Sequence, residues 1–212
     1  SATLQNPPFD RIIFGEVPHL RTETQGATPF ERDTRLTADF LQYLDQKPDK
    51  PFFAFLFYDL LHAISIPAPH RHKFEPSWEY ANYMALSNEM DATPFFNLYR
   101  NCGWYVDSLV GSIVGELEHK GLLDNSILVI TGDHSQEFNE NKKNYWGHGS
   151  NYSDAQIHVP FIYYEPGQAP RNYHHTTTHY DIVPTLMHTL FGVSNPPGDY
   201  SMDHFLTDSL RP

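Results

Sequence analysis

The sequence predicts an α/β fold with a mostly parallel central sheet flanked by helices. Two short apolar runs, at residues 127–130 and 52–58, do not alternate with polar residues, which is typical of strands buried on both faces of a sheet. Between them, residues 95–120 carry apolar side chains at helical spacing. Strand, helix and strand in this order predict a right-handed crossover that brings the two strands into one parallel sheet.

Caps and breakers predict the other elements. A helix is expected to start at Thr28, because Thr28 and Glu31 have the spacing of a capping box. A further strand is expected at residues 158–164, and a last helix runs from about Asp181 to Phe191. We expect these elements to form a single domain over residues 1–212.

Composition excludes several functions. The formal net charge is -12, with 26 acidic against 14 basic residues, so a surface that binds nucleic acid is not expected. The single cysteine, Cys102, excludes an intrachain disulfide framework and a multi-cysteine metal site, and we expect it to pack in the core. No stretch approaches the ~18 consecutive apolar residues of a membrane span, so a membrane anchor is expected outside this sequence.

Polar side chains follow both apolar runs. Asp133 and His134 come directly after the first run, His148 follows between two glycines, and His62 comes after the second run. Ligands collect outside the carboxyl ends of parallel strands, so these four side chains are expected to converge. A neighbouring carboxylate and imidazole make Asp133 and His134 a candidate metal half-site. The alternatives are that the pair only satisfies a turn and that His62 only packs where the chain leaves the sheet.

Four motifs carry a family resemblance. Residues 129–134 (VITGDH), 146–149 (WGHG), 158–162 (HVPFI) and 179–186 (HYDIVPTL) resemble the sulfatase and alkaline-phosphatase superfamily, in particular its phosphoglycerol and phosphoethanolamine transferases of lipid headgroups. Residues 8–21 and 192–201 resemble a narrower group, the inner-membrane sulfatase-like proteins of gammaproteobacteria. Members of that group have an N-terminal membrane domain and a periplasmic domain, and are implicated in lipopolysaccharide and cardiolipin control.

The resemblance implies a function. The chain would be part of a metal-dependent phosphate or sulfate ester hydrolase, or of a phospho-headgroup transferase, that acts through a covalent intermediate. Asp133 and His134 would bind a divalent metal, with zinc or manganese favoured and calcium or magnesium as alternatives. His62 and His148 would be catalytic and would contact the substrate, a phospholipid or another ester. The location implied is the periplasmic side of the inner membrane, reached through an N-terminal anchor.

Two departures from the family pattern leave alternatives open. Ser135 stands where the superfamily usually has glycine, and the nucleophile and acidic metal ligand of the family lie upstream of this sequence. Glu16 does not replace that ligand, because its neighbours match the segment after the nucleophile. The chain is therefore expected to be a fragment, with the N-terminal part of the core missing, and inactive alone. A non-catalytic module for lipid sensing or protein docking is the main alternative.

A third function class rests on another histidine cluster. His174, His175 and His179 could form the metal site of a plain hydrolase. Their spacing fits no common zinc pattern, so we expect a solvated loop.

Overall fold

The computed structural model of the protein describes residues 27–46, 50–201 and 204–210. The chain divides into two compact units, one ending at Gly167 and the other starting at Gln168. The first unit contains helices α1 (Pro29–Asp45), α2 (Leu60–Ala63), α3 (Thr93–His119) and α4 (Asp154–Ile157), and strands β1 (Leu128–Thr131), β2 (Glu137–Phe138), β3 (Trp146–Gly147) and β4 (Phe161–Tyr164). The second unit contains helix α5 (Ile182–Phe191). A single domain over the whole chain stays a prediction.

Helix α1 begins where its capping box predicts. The Thr28 side chain accepts a hydrogen bond from the backbone N–H of Glu31, and the Glu31 carboxylate accepts one from the backbone N–H of Thr28. Phe40 and Leu44 lie on the buried face of the helix and pack against α3. The predicted helix is therefore confirmed, and its apolar stripe holds one of the two core clusters of the first unit together.

Helix α3 forms the centre of the first unit. Its N-terminal half buries Phe95, Leu98 and Cys102 in one core cluster, and its C-terminal half buries residues that face α1 in the other. Burial raises the pKa of the Cys102 thiol to about 12, so this residue is an inert packing group, as predicted. The helix ends as the sequence indicates, because Gly121 takes the left-handed conformation with φ of 66°.

The strands pair differently from the prediction. Strand β1 pairs with β4 in the antiparallel sense, from Leu128 opposite Tyr164 to Thr131 opposite Phe161, and β2 pairs with β3 in a second antiparallel ladder. The α/β class is confirmed. The sheet was predicted to be mostly parallel, whereas both ladders among the described residues are antiparallel. The apolar run of β1 predicted a strand buried on both faces, but Leu128, Val129 and Ile130 are only partly buried and Thr131 is exposed. An apolar run alone therefore does not set the direction of the neighbouring strand.

The segment at residues 52–58 is extended but joins no ladder in the described part of the chain, so the predicted second strand and its parallel pairing with β1 are wrong there. Its side chains alternate between two environments. Ala54 and Leu56 pack against the cluster between α1 and α3, whereas Phe55 and Phe57 are 68% and 52% exposed. The segment still leads into α2, and thereby fixes where His62 lies.

The second unit confirms the last predicted helix. Helix α5 ends before Gly192, whose φ is 61°, and Thr185 within it accepts a hydrogen bond from the backbone N–H of Leu206. None of the helices described is long and apolar enough to cross a bilayer. The prediction for Glu16 falls on residues outside the described ranges.

Candidate functional site

Three imidazole rings from separate segments meet in the first unit. The ring centres of His134 and His148 are 4.0 Å apart and the rings are stacked. His62 lies 5.1 Å from His148 and 6.3 Å from His134, again between ring centres. The structure therefore brings together the three histidines that the sequence selected, although they are separated by up to 86 positions in the chain. Their individual roles stay predictions.

Helix α1 holds the segment that carries His62. The carboxylate of Asp33, which is buried, accepts hydrogen bonds from the backbone N–H groups of Asp59 at 3.0 Å and Leu60 at 2.8 Å. These N–H groups open the short helix α2, which has no side-chain cap of its own. Arg32 forms an ion pair with Asp59 beside them. Two consecutive residues of α1 thus position the turn that presents His62.

His134 follows β1 through a close backbone approach. A Cβ atom at Gly132 would lie 3.3 Å from the backbone oxygen of His134 and 3.5 Å from a side-chain carbon of Val159, so glycine suits this corner. The Nδ1 atom of His134 lies 2.9 Å from the backbone oxygen of Ser135. A carbonyl oxygen only accepts, so Nδ1 carries the proton and Nε2 is left for a ligand.

His148 leaves the β2–β3 hairpin next to Gly147. Its Nδ1 atom lies 3.0 Å from the side-chain oxygen of Gln136. Gln136 precedes β2 and His148 follows β3, so the two side chains meet at the open end of the same ladder. This hairpin therefore places His148 against His134, which lies two residues before Gln136.

A buried carboxylate ties β2 to the segments on both sides of β3. Glu137 is fully buried and accepts hydrogen bonds from four side chains at 2.7 to 3.3 Å: Gln156, Asn151, Asn141 and Ser153. Burial opposes its ionisation, but the four hydrogen bonds outweigh burial and hold the pKa of Glu137 below its ordinary value of 4.5. One buried charge thus holds the residues before and after the strand that leads into His148.

The electrostatics of the cluster favour a neutral His148. Burial is the main cause that lowers the pKa of His148, the neighbouring imidazoles of His134 and His62 lower it further, and Asp133 opposes the change. A neutral imidazole can accept a proton or bind a metal through its free nitrogen. When protonated at Nε2, the imidazoles of this cluster offer hydrogen-bond donors to an anion in a chain whose overall charge is negative.

Asp133 and His134 fit part of a divalent-metal site. Oδ1 of Asp133 lies 3.9 Å from Nε2 of His134, and both side chains reach solvent. A carboxylate oxygen and an imidazole nitrogen are the mixed donors that zinc and manganese accept. Within the described ranges, however, no group of three histidine, cysteine or acidic side chains is arranged to hold a metal. The pair can thus contribute two ligands of a larger set.

The second histidine cluster lies in the other unit. His175 there bonds through Nε2 to the backbone oxygen of Leu206 at 2.9 Å, which gives it a structural partner. No histidine cluster of the second unit, as far as it is described, is arranged as a three-ligand metal site. We assign no chemistry to His174, His175 and His179.

Sequence reasoning missed the residues that support the site. Asp33, Gln136 and Glu137 each act through a partner far along the chain or across a hairpin, so no local periodicity marks them. One signal was available for Glu137: it lies in a stretch rich in asparagine and glutamine, which are the donors that a buried carboxylate requires.

Comparisons with known proteins show the family. The family model described as Sulfatase matches residues 3–193. Inner membrane protein YejM of Salmonella typhimurium is 25% identical over 107 residues, which are 50% of this chain and 17% of that protein. The lipoteichoic acid synthase-like YvgJ of Bacillus subtilis is 32% identical over 115 residues, 50% of this chain and 19% of that protein. The chain thus spans less than a fifth of these curated relatives.

A solved structure has a similar fold. The crystal structure of the phosphonate monoester hydrolase of Agrobacterium radiobacter matches with a TM-score of 0.62 and covers 76% of this chain and 39% of that chain. At 23% identity this likeness shows the fold alone. It supports the α/β class with helices and small sheets.

Proposed function

The chain belongs to the sulfatase family, and from this premise we propose that it forms part of a site that cleaves or transfers a phosphate or sulfate ester. The observation that carries the proposal is the convergence of His62, His134 and His148 within 4.0 to 6.3 Å between ring centres. Two of these side chains were selected by motif and His62 by its place after an apolar run, and all three come from separate segments and meet at one place. Packing alone does not require three polar rings to share one location.

The imidazoles suit the chemistry of an ester anion. An activated hydroxyl attacks the phosphorus or sulfur atom, a bond to that hydroxyl oxygen forms, and the bond to the leaving alcohol breaks. His62 and His148 hold the equatorial oxygens or give a proton to the departing oxygen. Water or an acceptor alcohol then releases the group from the covalent intermediate. The nucleophile in this proposal is supplied by a residue outside this chain.

Asp133 and His134 would contribute ligands to a divalent metal, with zinc or manganese favoured and calcium or magnesium as alternatives. Such an ion, when bound, neutralises charge on the ester and favours the ionised nucleophile. The chain's own contribution is orientation. The Ser135 carbonyl holds Nδ1 of His134 and leaves Nε2 available on the side of the Asp133 carboxylate.

We propose a phospholipid or a related envelope ester as the substrate. The names of two relatives support this choice, because one is an inner membrane protein and the other is lipoteichoic acid synthase-like. The protein that carries this chain would work on the periplasmic side of the inner membrane, attached through an N-terminal anchor. With its net charge of -12, the chain would need local imidazoles and a metal to hold an anionic headgroup.

Metal analysis and an ester assay test the proposal. In the natural protein that contains this sequence, the double variant Asp133→Ala with His134→Ala is expected to lose about one bound divalent ion, because it removes two of the proposed ligands. The double variant should also lose hydrolysis of a p-nitrophenyl phosphate or sulfate ester. Adding a chelator to the unchanged protein should abolish the same hydrolysis. The 212-residue chain alone is expected to show no turnover.

The chain provides a matched control for this experiment. Asp154 and His158 form another Asp–His pair, with Oδ1 and Nε2 3.6 Å apart, and both side chains are exposed. Asp154→Ala with His158→Ala should leave metal content and turnover unchanged. Unchanged metal content in the Asp133 and His134 variant would remove these residues from the proposed site, and turnover by the chain alone would refute an external nucleophile.

A second candidate function is a non-catalytic module for lipid sensing or protein docking. It is favoured by one observation: within the described residues, Asp133 and His134 have no third ligand arranged with them. Metal binding or lipid binding by the natural protein without turnover of any ester would support this module over the enzyme.

A further inference from the structure

The hairpin register explains why Gln136 meets His148. In the β2–β3 ladder, Glu137 lies opposite Gly147 and Phe138 lies opposite Trp146. One step further toward the open end, the same antiparallel register sets Gln136 opposite His148. The hydrogen bond of 3.0 Å between the Gln136 oxygen and Nδ1 of His148 is therefore a cross-strand pair in continuation of the ladder.

This contact decides which nitrogen of His148 carries the proton. The side-chain oxygen of Gln136 only accepts hydrogen bonds, so Nδ1 must donate and Nε2 of the neutral ring stays unprotonated. The backbone oxygen of Ser135 imposes the same state on His134. The two rings are stacked with their centres 4.0 Å apart. In each ring a protein oxygen engages Nδ1, and Nε2 is the nitrogen left to interact with a ligand.

We propose that Gln136 is a positioning residue of the site: it holds His148 in the Nδ1-protonated tautomer, so that Nε2 is the nitrogen through which His148 takes up a proton and gives it to the departing oxygen of the ester. The inference rests on the proposed function for the role of that nitrogen. The positioning itself rests only on the register and the hydrogen bond. Partners that bond the second nitrogen of a functional histidine fix its tautomer and ring orientation in this way.

The surroundings hold Gln136 in place. Glu137, next in the chain, is fixed by four side-chain hydrogen bonds, so the backbone at the start of β2 is anchored. Gly147 has a φ of 96°, and a Cβ atom there would lie 3.9 Å from Nε2 of Gln136. A side chain at position 147 would thus touch the amide of Gln136.

The tautomer of each histidine can be measured directly. Long-range ¹H–¹⁵N correlation spectra of the 212-residue chain at pH 8.5 should show His148 protonated at Nδ1. Gln136→Met keeps the side-chain length but removes the acceptor, and is expected to move the proton of His148 to Nε2. Gln136→Glu restores an accepting oxygen and should restore the Nδ1 proton.

His134 serves as the internal control, because its partner is a backbone oxygen that neither variant changes. Its signals should keep the Nδ1-protonated pattern throughout, which also reports that the hairpin is intact. A His148 tautomer that is the same in wild type and Gln136→Met, with His134 unchanged, would overturn the positioning role. The spectra need neither metal nor ester, so a failed metal or ester assay would refute the proposed function and leave this result standing.

Discussion

Replacing Glu137 with alanine is expected to lower the free energy of unfolding by about 3 kcal/mol, because buried donors would lose their shared acceptor. The side chains of Gln156 and Asn151 donate to it at 2.7 and 2.8 Å, and Glu137 itself is fully buried. The segment after β3 that carries these donors, residues 151–156, should loosen with it. Urea unfolding followed by circular dichroism measures the change.

The effect of Glu137 should depend on pH in a defined direction. Its pKa in the folded protein lies below the ordinary value of 4.5, so the carboxylate contributes stability above pH 4.5 that is lost as the pH falls through that value toward the folded pKa. The wild type should therefore lose stability in acid more steeply than Glu137→Gln, which carries no titrating group there.

Glu140→Gln is the control for this experiment. Glu140 is exposed and accepts one hydrogen bond, from the backbone N–H of Phe138 at 2.7 Å. Its replacement should change stability by no more than about 0.5 kcal/mol. Equal effects for Glu137→Ala and Glu140→Gln would contradict the central role of Glu137 in holding the segments around β3.

Replacing Asp33 with alanine is expected to lower the free energy of unfolding by about 2 kcal/mol and to displace His62, because the first N–H groups of α2 would lose their acceptor. No side chain of α2 can replace the Asp33 carboxylate as acceptor, because Asp59 at the start of the helix makes no side-chain cap there. Urea unfolding gives the stability, and the amide and ring signals of His62 in NMR spectra give the displacement.

The pH dependence at Asp33 has the opposite sign. Burial raises its pKa above the ordinary value of 3.8, against the N–H groups of Asp59 and Leu60 that lower it. As the pH rises from 3.8 through the folded pKa, ionisation of the buried carboxylate lowers the free energy of unfolding of the wild type. The difference in free energy of unfolding between the wild type and Asp33→Ala should therefore shrink over that range. Arg35→Ala, at an exposed position of α1, should leave both stability and His62 unchanged.

Local chemistry in the sequence predicted the helices well. The capping box at Thr28 and the left-handed glycine at Gly121 act within one turn of the helix they bound, so their patterns can be read directly. The site histidines were also found, because short motifs follow apolar runs. The motifs could not give distance. His62 and His148 meet because Leu60 of α2 and Phe138 of β2 belong to the same core cluster.

Sheet pairing was the main error, and its cause is physical. An apolar run predicts burial, but hydrogen-bond partners are chosen by the whole chain. Residues 52–58 are extended and pack one side against the core, but they pair with no strand in the described ranges. Strand β1 pairs instead with β4, in the antiparallel sense. The supporting residues Asp33 and Glu137 escaped prediction for the same reason, since each acts on a distant segment.

Nuclear Overhauser contacts between histidine rings test the central claim most directly, namely that three segments bring their imidazoles together. In the chain with ¹³C-labelled histidine, ring protons of His134 and His148 should show a strong cross-peak, and His62 should show a weaker one to His148, in line with ring centres 4.0 and 5.1 Å apart. Rings that show contacts within their own residue but none to one another would contradict the site.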